Sequence, residues 1–266
     1  MTTASTAPAT TRATVAGVEL EVLRRGAGNP LILLHGFQHI DPRLPVVDML
    51  ARNAELIAPS HPGFGGSKRP KDIGTMYDLV HLYLEFLDTI PASQPLTLMG
   101  FSFGGWLAAE IAVKAGRRIN KLILVDTLGI KISDRETPDI LDVFNVHPDE
   151  VIRKSWHDPA KNAPRYDDME DDELITISRN RENLCRYAFH PYMYNPQLKR
   201  WLSTIKARTL VLWGASDGVV KPAYGEAYAK LIPGARFDTI AAAGHHPEIE
   251  QPAALAERVQ AFLQQP

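Results

Sequence analysis

Short runs of aliphatic and β-branched residues alternate with amphipathic stretches along nearly the whole chain from Ala13 onward. Runs of this length suit β-strands, and runs that are apolar throughout are typical of strands covered on both faces. The predicted strands lie at residues 15–23 (a pair turning at Ala16-Gly17), 31–35, 55–59, 96–100, 119–126, 209–213 and 235–240. The predicted helices lie at residues 76–90 and 106–115, from Pro222 onward, and at 247–263. We therefore expect an α/β fold with a mostly parallel central sheet of about eight strands flanked by helices.

The alternation is interrupted between residues 129 and 204. This segment contains several prolines and holds eight of the 21 aromatic residues of the chain, with charged and aromatic residues at helical spacing. We interpret 129–204 as a helical cap inserted after the sixth strand, with 13–128 and 205–266 forming one core domain. The aromatic residues suit an apolar pocket under the cap, although packing of the cap on the sheet explains most of them equally well. The small and polar residues at 1–12 predict a flexible tail.

Charge and composition exclude several classes of function. The chain has 29 Lys and Arg against 31 Asp and Glu, so its net charge of −2 offers no surplus of positive charge to nucleic acid. The single cysteine, Cys185, can form neither an intramolecular disulfide nor a cysteine metal cluster. With no long apolar run and no apolar signal core, we expect a cytoplasmic protein that acts on a small molecule and has no membrane partner. The first twelve residues contain a lone Arg12, so a transit peptide stays an open alternative. Formation of a homo-oligomer is also an open alternative.

The strongest local motif is Gly100-Phe101-Ser102-Phe103-Gly104, at the end of a predicted strand and just before a predicted helix. A tight turn there forces its central residue into a strained backbone conformation, and side chains two positions away on either side would collide. Ser102 is therefore predicted to project from the turn as a nucleophile, with the backbone N–H of Phe103 at the positive end of the helix. The alternative is a serine that only caps the helix.

A serine hydroxyl needs a base that takes its proton and an acid that orients the base. Asp217 follows the strand at 209–213, and His245 follows the strand at 235–240. Loops after parallel strands gather along one edge of the sheet, so these side chains are expected to meet Ser102. Two alternatives stay open, because His246 adjoins His245 and Asp126 follows its own strand.

Several separated motifs together resemble the α/β-hydrolase superfamily, most closely its small capped serine esterases and carbon-carbon bond hydrolases. They are the order Ser102, Asp217, His245; the His35-Gly36-Phe37 loop; the Pro62-Gly-Phe-Gly-Gly-Ser67 loop; and Gly244-His-His-Pro-Glu-Ile-Glu250. The resemblance covers nearly the whole chain from Val15 onward, and agreement of several motifs is far more specific than any one of them.

The resemblance implies a role for each matched residue. Ser102 would be the nucleophile, His245 the general base and acid, and Asp217 the group that holds the imidazole. The backbone N–H groups of Phe37 and Phe103 would form the oxyanion hole. The Gly-His-x-Pro spacing of the superfamily selects His245 over His246, and Asp126 stands where some members place their acid.

Neither a metal nor a cofactor is expected. The histidines are scattered, and His35 and His39 lie on either side of a strand end, which makes a shared metal improbable. The glycines after Pro62 match neither a dinucleotide fingerprint nor a P-loop. Two departures from the superfamily pattern are Ser60, where many relatives have Asp, and the bulky residues 38–41 after the oxyanion strand, which are predicted to narrow the acyl side of the pocket.

These residues predict a cofactor-independent serine hydrolase that cleaves carboxylic esters of small to medium, largely apolar substrates through an acyl-enzyme. The main alternative keeps the same three residues and hydrolyses a carbon-carbon bond in a ring-cleavage diketo acid, and perhydrolysis is a related activity. A catalytically silent binding protein of the same fold is the third hypothesis, since a fold does not fix a function.

Overall fold

The computed structural model describes residues 9–265 and contains one eight-stranded sheet with the order β1-β2-β4-β3-β5-β6-β7-β8. The strands are β1 (Ala9–Val15), β2 (Val18–Arg25), β3 (Pro30–Leu34), β4 (Glu55–Pro59), β5 (Thr97–Phe101), β6 (Lys121–Val125), β7 (Arg208–Gly214) and β8 (Arg236–Ile240). Strand β2 pairs antiparallel with β1 and with β4, and the remaining neighbours are parallel. The predicted α/β fold with a mostly parallel sheet is confirmed.

Ten α-helices surround the sheet within the described residues. They are α1 (Pro45–Leu50), α2 (Met76–Asp88), α3 (Ser102–Ala115), α4 (Pro148–Ser155), α5 (Pro159–Asn162), α6 (Asp171–Ala188), α7 (Leu198–Trp201), α8 (Pro222–Lys230), α9 (Pro247–Glu250) and α10 (Pro252–Gln264). Among residues 9–265, no helix is both long enough and apolar enough to cross a membrane.

The two faces of the sheet pack against different helices. Ile32 and Leu34 of β3 point into a core that also holds α2, α3 and part of α6, whereas Leu31 and Leu33 point into a second core with α1 and α10. Successive strand residues face opposite sides, so this division follows from the continuous apolar runs. Because both faces of the sheet are buried, polar side chains lie at the edge formed by the carboxyl ends of the strands.

The helical segment inserted after the sixth strand is also confirmed, because α4 to α7 all lie between β6 and β7. We call residues 129–204 the cap segment. The division of the chain into a core domain and a cap domain at those boundaries stays a prediction.

Three local expectations need correction. Residues 9–12 of the predicted tail belong to β1, where Arg12 pairs with Glu21 of β2, because ladder hydrogen bonds stabilise a strand even where its side chains, here those at 10–12, are exposed. Residues 1–8 of that tail lie outside the described part of the chain. The predicted helix at 247–263 is two helices, since the non-helical backbone at Gln251, just before Pro252, separates α9 from α10. Helix α3 begins at Ser102, four residues before the predicted start at residue 106.

Candidate active site

Ser102 lies at a sharp turn between β5 and α3, with a left-handed backbone φ of +49°. Few residues other than glycine adopt this region, so the strained turn expected from the sequence is present. A Cβ atom on Gly100 would overlap the carbonyl oxygen of Gly104, and a Cβ atom on Gly104 would overlap the carbonyl oxygens of Leu34 and His35. The two glycines therefore allow the helix to start directly against the sheet, with the Ser102 side chain at the strand edge.

The side chains of Ser102, His245 and Asp217 form one hydrogen-bonded chain. The Ser102 Oγ lies 2.8 Å from His245 Nε2, and His245 Nδ1 lies 2.8 Å from Asp217 Oδ2. Because the carboxylate accepts from Nδ1, that nitrogen carries the proton and Nε2 accepts from the serine hydroxyl. The structure thus brings together the three side chains that the sequence predicted would meet.

Asp217 is held in place by hydrogen bonds from its own loop. Its Oδ1 accepts hydrogen bonds from the backbone N–H groups of Val219 (2.8 Å) and Val220 (3.0 Å), and its side chain is fully buried. Burial by itself lowers the pKa of His245, but the charge and hydrogen bond of Asp217, together with the charge of Glu248, outweigh burial and raise it. His245 is consequently a stronger base than an ordinary histidine.

Of the two adjacent histidines, only His245 contacts Ser102 in the described structure. The His246 ring stacks on Trp156 with 4.5 Å between centroids, and its Nδ1 lies 3.2 Å from Glu248 Oε1. The other open alternative, Asp126, is buried behind Asp217, and its Oδ1 accepts from the Gly214 N–H at 2.8 Å. Burial, followed by the charge of Asp217, raises the pKa of Asp126 well above its usual range.

The same buried side chains are a group of potential metal ligands. One oxygen of Asp126, one oxygen of Asp217 and one ring nitrogen of His245 lie within 4.8 Å of one another. The Asp217 oxygens and His245 Nδ1 already bond to each other and to backbone N–H groups. This pattern suits a cluster of acidic and basic side chains joined by hydrogen bonds rather than by a metal ion.

The two predicted oxyanion donors belong to segments that adjoin Ser102. Phe103 belongs to the first turn of α3, where backbone N–H groups have no partner inside the helix. The loop after β3 also approaches Ser102, since a Cβ atom on Gly36 would come within 3.2 Å of Ser102 Cβ. The Gly36–Phe37 peptide therefore adjoins the serine, and the oxyanion role of Phe37 and Phe103 stays a prediction.

A pair of buried histidines that the sequence analysis did not identify supports that loop. The His61 N–H donates to His35 Nε2 at 2.9 Å, so His35 Nδ1 carries a proton and donates to the Gly36 carbonyl oxygen at 2.9 Å. This bond polarises the Gly36–Phe37 peptide, whose N–H is the predicted oxyanion donor.

The second histidine of the pair is fixed in turn. His61 Nδ1 lies 2.6 Å from the Tyr83 hydroxyl, and its Nε2 lies 3.0 Å from the His35 carbonyl oxygen. Burial lowers the pKa of both histidines, that of His61 to about 3, so both stay neutral. A sequence signal was available, because His35 directly follows β3 and His61 lies two residues after β4, the parallel neighbour of β3.

The contacts that attach the cap segment to the core beside these loops include those of α6 and α4. On α6, Asn183 Nδ2 donates to the Gly63 carbonyl at 3.0 Å and the Tyr187 hydroxyl donates to the Pro62 carbonyl at 3.0 Å. Asn180 donates to Gln38 Oε1 at 2.6 Å, which fixes one of the bulky residues after the oxyanion strand. These side chains recur at helical spacing and form one polar face of α6.

The second attachment reaches the Asp217 and His245 loops. At the end of α4, the carbonyl of Lys154 accepts from the Gly218 N–H at 2.9 Å, and the carbonyl of Ser155 accepts from the His245 N–H at 2.7 Å. A Cβ atom on Gly244 would overlap the Ser155 carbonyl, so this contact depends on glycine. The position of α4 is therefore coupled to the alignment of Asp217 and His245, which the sequence did not indicate.

This chain is similar over most of its length to known proteins. The chain is 28% identical over 268 residues to 2-hydroxymuconate semialdehyde hydrolase of Pseudomonas sp. (strain CF600), covering 93% of this chain and 91% of that protein. It is 29% identical over 263 residues to polyketide synthase ThaQ of Burkholderia thailandensis, covering 90% of this chain but spanning only 12% of the length of that synthase.

Structural comparison gives the same fold. A crystal structure described as a membrane phospholipase A superposes with a TM-score of 0.80 and 23% identity, covering 96% of this chain and 86% of that one. A sequence model described as the Alpha/beta hydrolase family matches residues 31–258, which include Ser102, Asp217 and His245. On the strength of that match, the chain belongs to the alpha/beta hydrolase family.

Proposed function

We propose that this protein is a serine hydrolase that cleaves carboxylic esters through an acyl-enzyme, with Ser102 as nucleophile, and that it needs no cofactor. The observation that carries this proposal is the continuous chain from Ser102 Oγ through His245 to Asp217, with 2.8 Å at each step. That arrangement converts a weak alcohol nucleophile into a reactive one.

In the acylation step, Ser102 Oγ attacks the ester carbonyl carbon while His245 Nε2 takes the hydroxyl proton. The Phe37 and Phe103 N–H groups stabilise the negative charge that develops on the carbonyl oxygen. The carbon-oxygen bond of the ester then breaks, and the proton on His245 passes to the departing alcohol. In deacylation a water molecule gives its proton to His245, attacks the acyl carbon and releases the carboxylic acid, and Ser102 recovers its proton.

Substrates of small to medium size and largely apolar character fit the surroundings of Ser102, His245 and Asp217. Phe37, next to the predicted oxyanion peptide, packs against the same apolar core as Phe144 and Tyr192 of the cap segment. The contact between Asn180 and Gln38 fixes the loop after β3 and limits the room on that side. These contacts support a bounded apolar pocket between core and cap.

A second candidate function is hydrolysis of a carbon-carbon bond in a ring-cleavage diketo acid. It is favoured by the relative named 2-hydroxymuconate semialdehyde hydrolase, which matches this chain over nearly the full length of both proteins. The two functions are separated by comparing kcat/KM for nitrophenyl esters of increasing acyl length with kcat/KM for a vinylogous diketo acid. We expect the esters to be preferred, and a clear preference for the diketo acid would establish the second function instead.

Treatment of the folded protein with an organophosphonate should give a single covalent adduct on Ser102, because its hydroxyl contacts a histidine that a buried carboxylate orients. Peptide mass spectrometry locates the adduct, and the same treatment after heat denaturation is the control. Folded protein that turns over neither substrate class and carries no adduct on Ser102 would contradict the proposal.

The pH dependence of kcat/KM should show an acidic limb, because His245 must be neutral to accept the Ser102 proton. As the pH falls through the pKa of His245, the imidazole becomes protonated and activity is lost. Since this pKa is raised, the midpoint of the limb should lie above the ordinary histidine value of about 6.5. A wild-type midpoint well below that value would show that the raised pKa of His245 does not govern the reaction.

A further inference from the structure

Asp126 occupies an unusual position directly behind the predicted catalytic acid. It follows β6 with a left-handed backbone φ of +46°, and it is 1% exposed. One of its oxygens lies in the same group, within 4.8 Å, as an Asp217 oxygen and a His245 ring nitrogen. Its backbone N–H donates to the Leu212 carbonyl at 3.0 Å, which holds the residue at the sheet edge beside β7. The mechanism proposed above uses Asp217 and gives Asp126 no role.

The hydrogen-bond donors around the two carboxyl groups are unequal. Asp217 accepts from two backbone N–H groups through Oδ1 and from His245 Nδ1 through Oδ2. Asp126 Oδ1 accepts from the Gly214 N–H, whereas Asp126 Oδ2 is buried with no hydrogen-bond partner. An ionised carboxylate with a bare buried oxygen is costly, whereas a protonated one turns that oxygen into a donor.

Two buried carboxyl groups at this separation do not both ionise readily, because the like charges repel and water is excluded. The proton therefore belongs to the group whose charged form has fewer donors, which is Asp126. The charged or titratable groups that face Asp126 are Asp217 from the loop after β7, His245 from the loop after β8 and Glu248 from α9. The pKa of Asp126 is raised, by burial first and then by the charge of Asp217, which agrees with a proton on Asp126.

We propose that Asp126 is a positioning residue that stays protonated and donates a hydrogen bond from Oδ2 to the Asp217 carboxylate. This inference rests on the proposed function, since it concerns the acid that orients His245. The added hydrogen bond fixes the Asp217 carboxylate relative to the imidazole of His245. Asp126 neither touches the substrate nor replaces Asp217.

Asp126→Asn tests the proposal because the amide can keep both hydrogen bonds of a neutral acid. Its oxygen can accept from Gly214, its NH₂ group can donate to Asp217, and asparagine tolerates the left-handed backbone. We expect kcat/KM within about threefold of wild type, whereas Asp126→Ala should lower it at least tenfold and Asp217→Asn by a hundredfold or more. Asp238→Asn, at an exposed site of β8, is the control for an Asp to Asn change.

An NMR titration of His245 separates a neutral Asp126 from a charged one. If Asp126 is neutral, Asp126→Asn removes no charge and should leave the pKa of His245 within about 0.3 of wild type, whereas Asp217→Asn should lower it by about one or more. If Asp126→Asn lowers the pKa of His245 as much as Asp217→Asn does, Asp126 is ionised and the proposal is wrong.

A measurement on the wild-type protein does not depend on whether a variant folds. With ¹³C-labelled aspartate, the carboxyl resonance of Asp126 should have the shift of a protonated acid and should not titrate between about pH 5 and pH 8. The shift of an ionised carboxylate at neutral pH would overturn the proposal. Because this resonance reports Asp126 whether or not a substrate is turned over, failure of the proposed function and failure of this inference are distinguishable.

Discussion

Replacing Ser102 by alanine should reduce kcat for ester hydrolysis by roughly a thousandfold to a millionfold, with little change in KM. The substitution removes only the Oγ atom, so the reaction loses its nucleophile while the turn, the oxyanion peptide and the pocket remain. His245→Ala should give a loss of similar size, because without a base the hydroxyl stays protonated. The measurement is kcat and KM for a nitrophenyl ester.

The control for this substitution is Ser203→Ala, at an exposed site near the end of the cap segment, which should leave kcat unchanged. Combining Ser102→Ala with His245→Ala should lower kcat little further than either change alone, since the two side chains act as one unit. If Ser102→Ala retained more than about a tenth of the wild-type rate, Ser102 would not be the nucleophile and the mechanism proposed here would be wrong.

The placement of Ser102, Asp217 and His245 could be predicted because it depends on local sequence and on one rule of topology. A Gly-x-Ser-x-Gly run between a strand and a helix specifies the turn by itself, since the need for glycine at 100 and 104 is a matter of nearby atoms. Asp217 and His245 each follow a strand, and parallel strands deliver their following loops to one edge. No knowledge of distant contacts was needed.

The features that could not be predicted depend on contacts between distant segments. The carbonyl groups of Lys154 and Ser155 reach the Gly218 and His245 N–H groups across the boundary between cap and core, and nothing local to α4 marks it for that position. The short helix α1 was missed because a six-residue run is too brief to show helical periodicity.

Protonation is a further property that sequence alone does not determine. Asp126 and Asp217 both follow strands, and their positions in the chain do not say which one carries the charge. The choice depends on how many N–H groups surround each carboxyl in the folded protein. The same is true of His35 and His61, whose neutral state depends on burial and on the hydrogen bonds that fix each ring.

The turn at Ser102 is tightly packed as well as being the predicted site of the reaction. Gly104 lies in the first turn of α3, and the backbone of β3 runs so close to it that the Leu34 and His35 carbonyl oxygens occupy the space of a side chain. The His35 carbonyl also accepts from His61, so it cannot move away without breaking the pair that supports the oxyanion loop. Stability and alignment of the site therefore depend on the same contact.

Gly104→Ala should lower the free energy of unfolding by about 3 kcal/mol. In an ordinary helix the same change stabilises by about 1 kcal/mol, so the sign is decided by the overlap with the two carbonyl oxygens. For a chain of this length, the midpoint of thermal unfolding should fall by roughly 6 to 12 °C. Circular dichroism of purified protein measures that midpoint.

Gly74→Ala is the matched control, because a Cβ atom there meets nothing within 4 Å and the Gly74 backbone is not left-handed. Its unfolding midpoint should stay within about 2 °C of wild type. Folded Gly104→Ala protein should also lose ester hydrolysis, since relief of the overlap displaces β3 and with it the Gly36–Phe37 peptide. A Gly104→Ala variant with wild-type stability and wild-type kcat would mean that β3 and α3 can separate freely, which would remove the basis for an oxyanion hole between them.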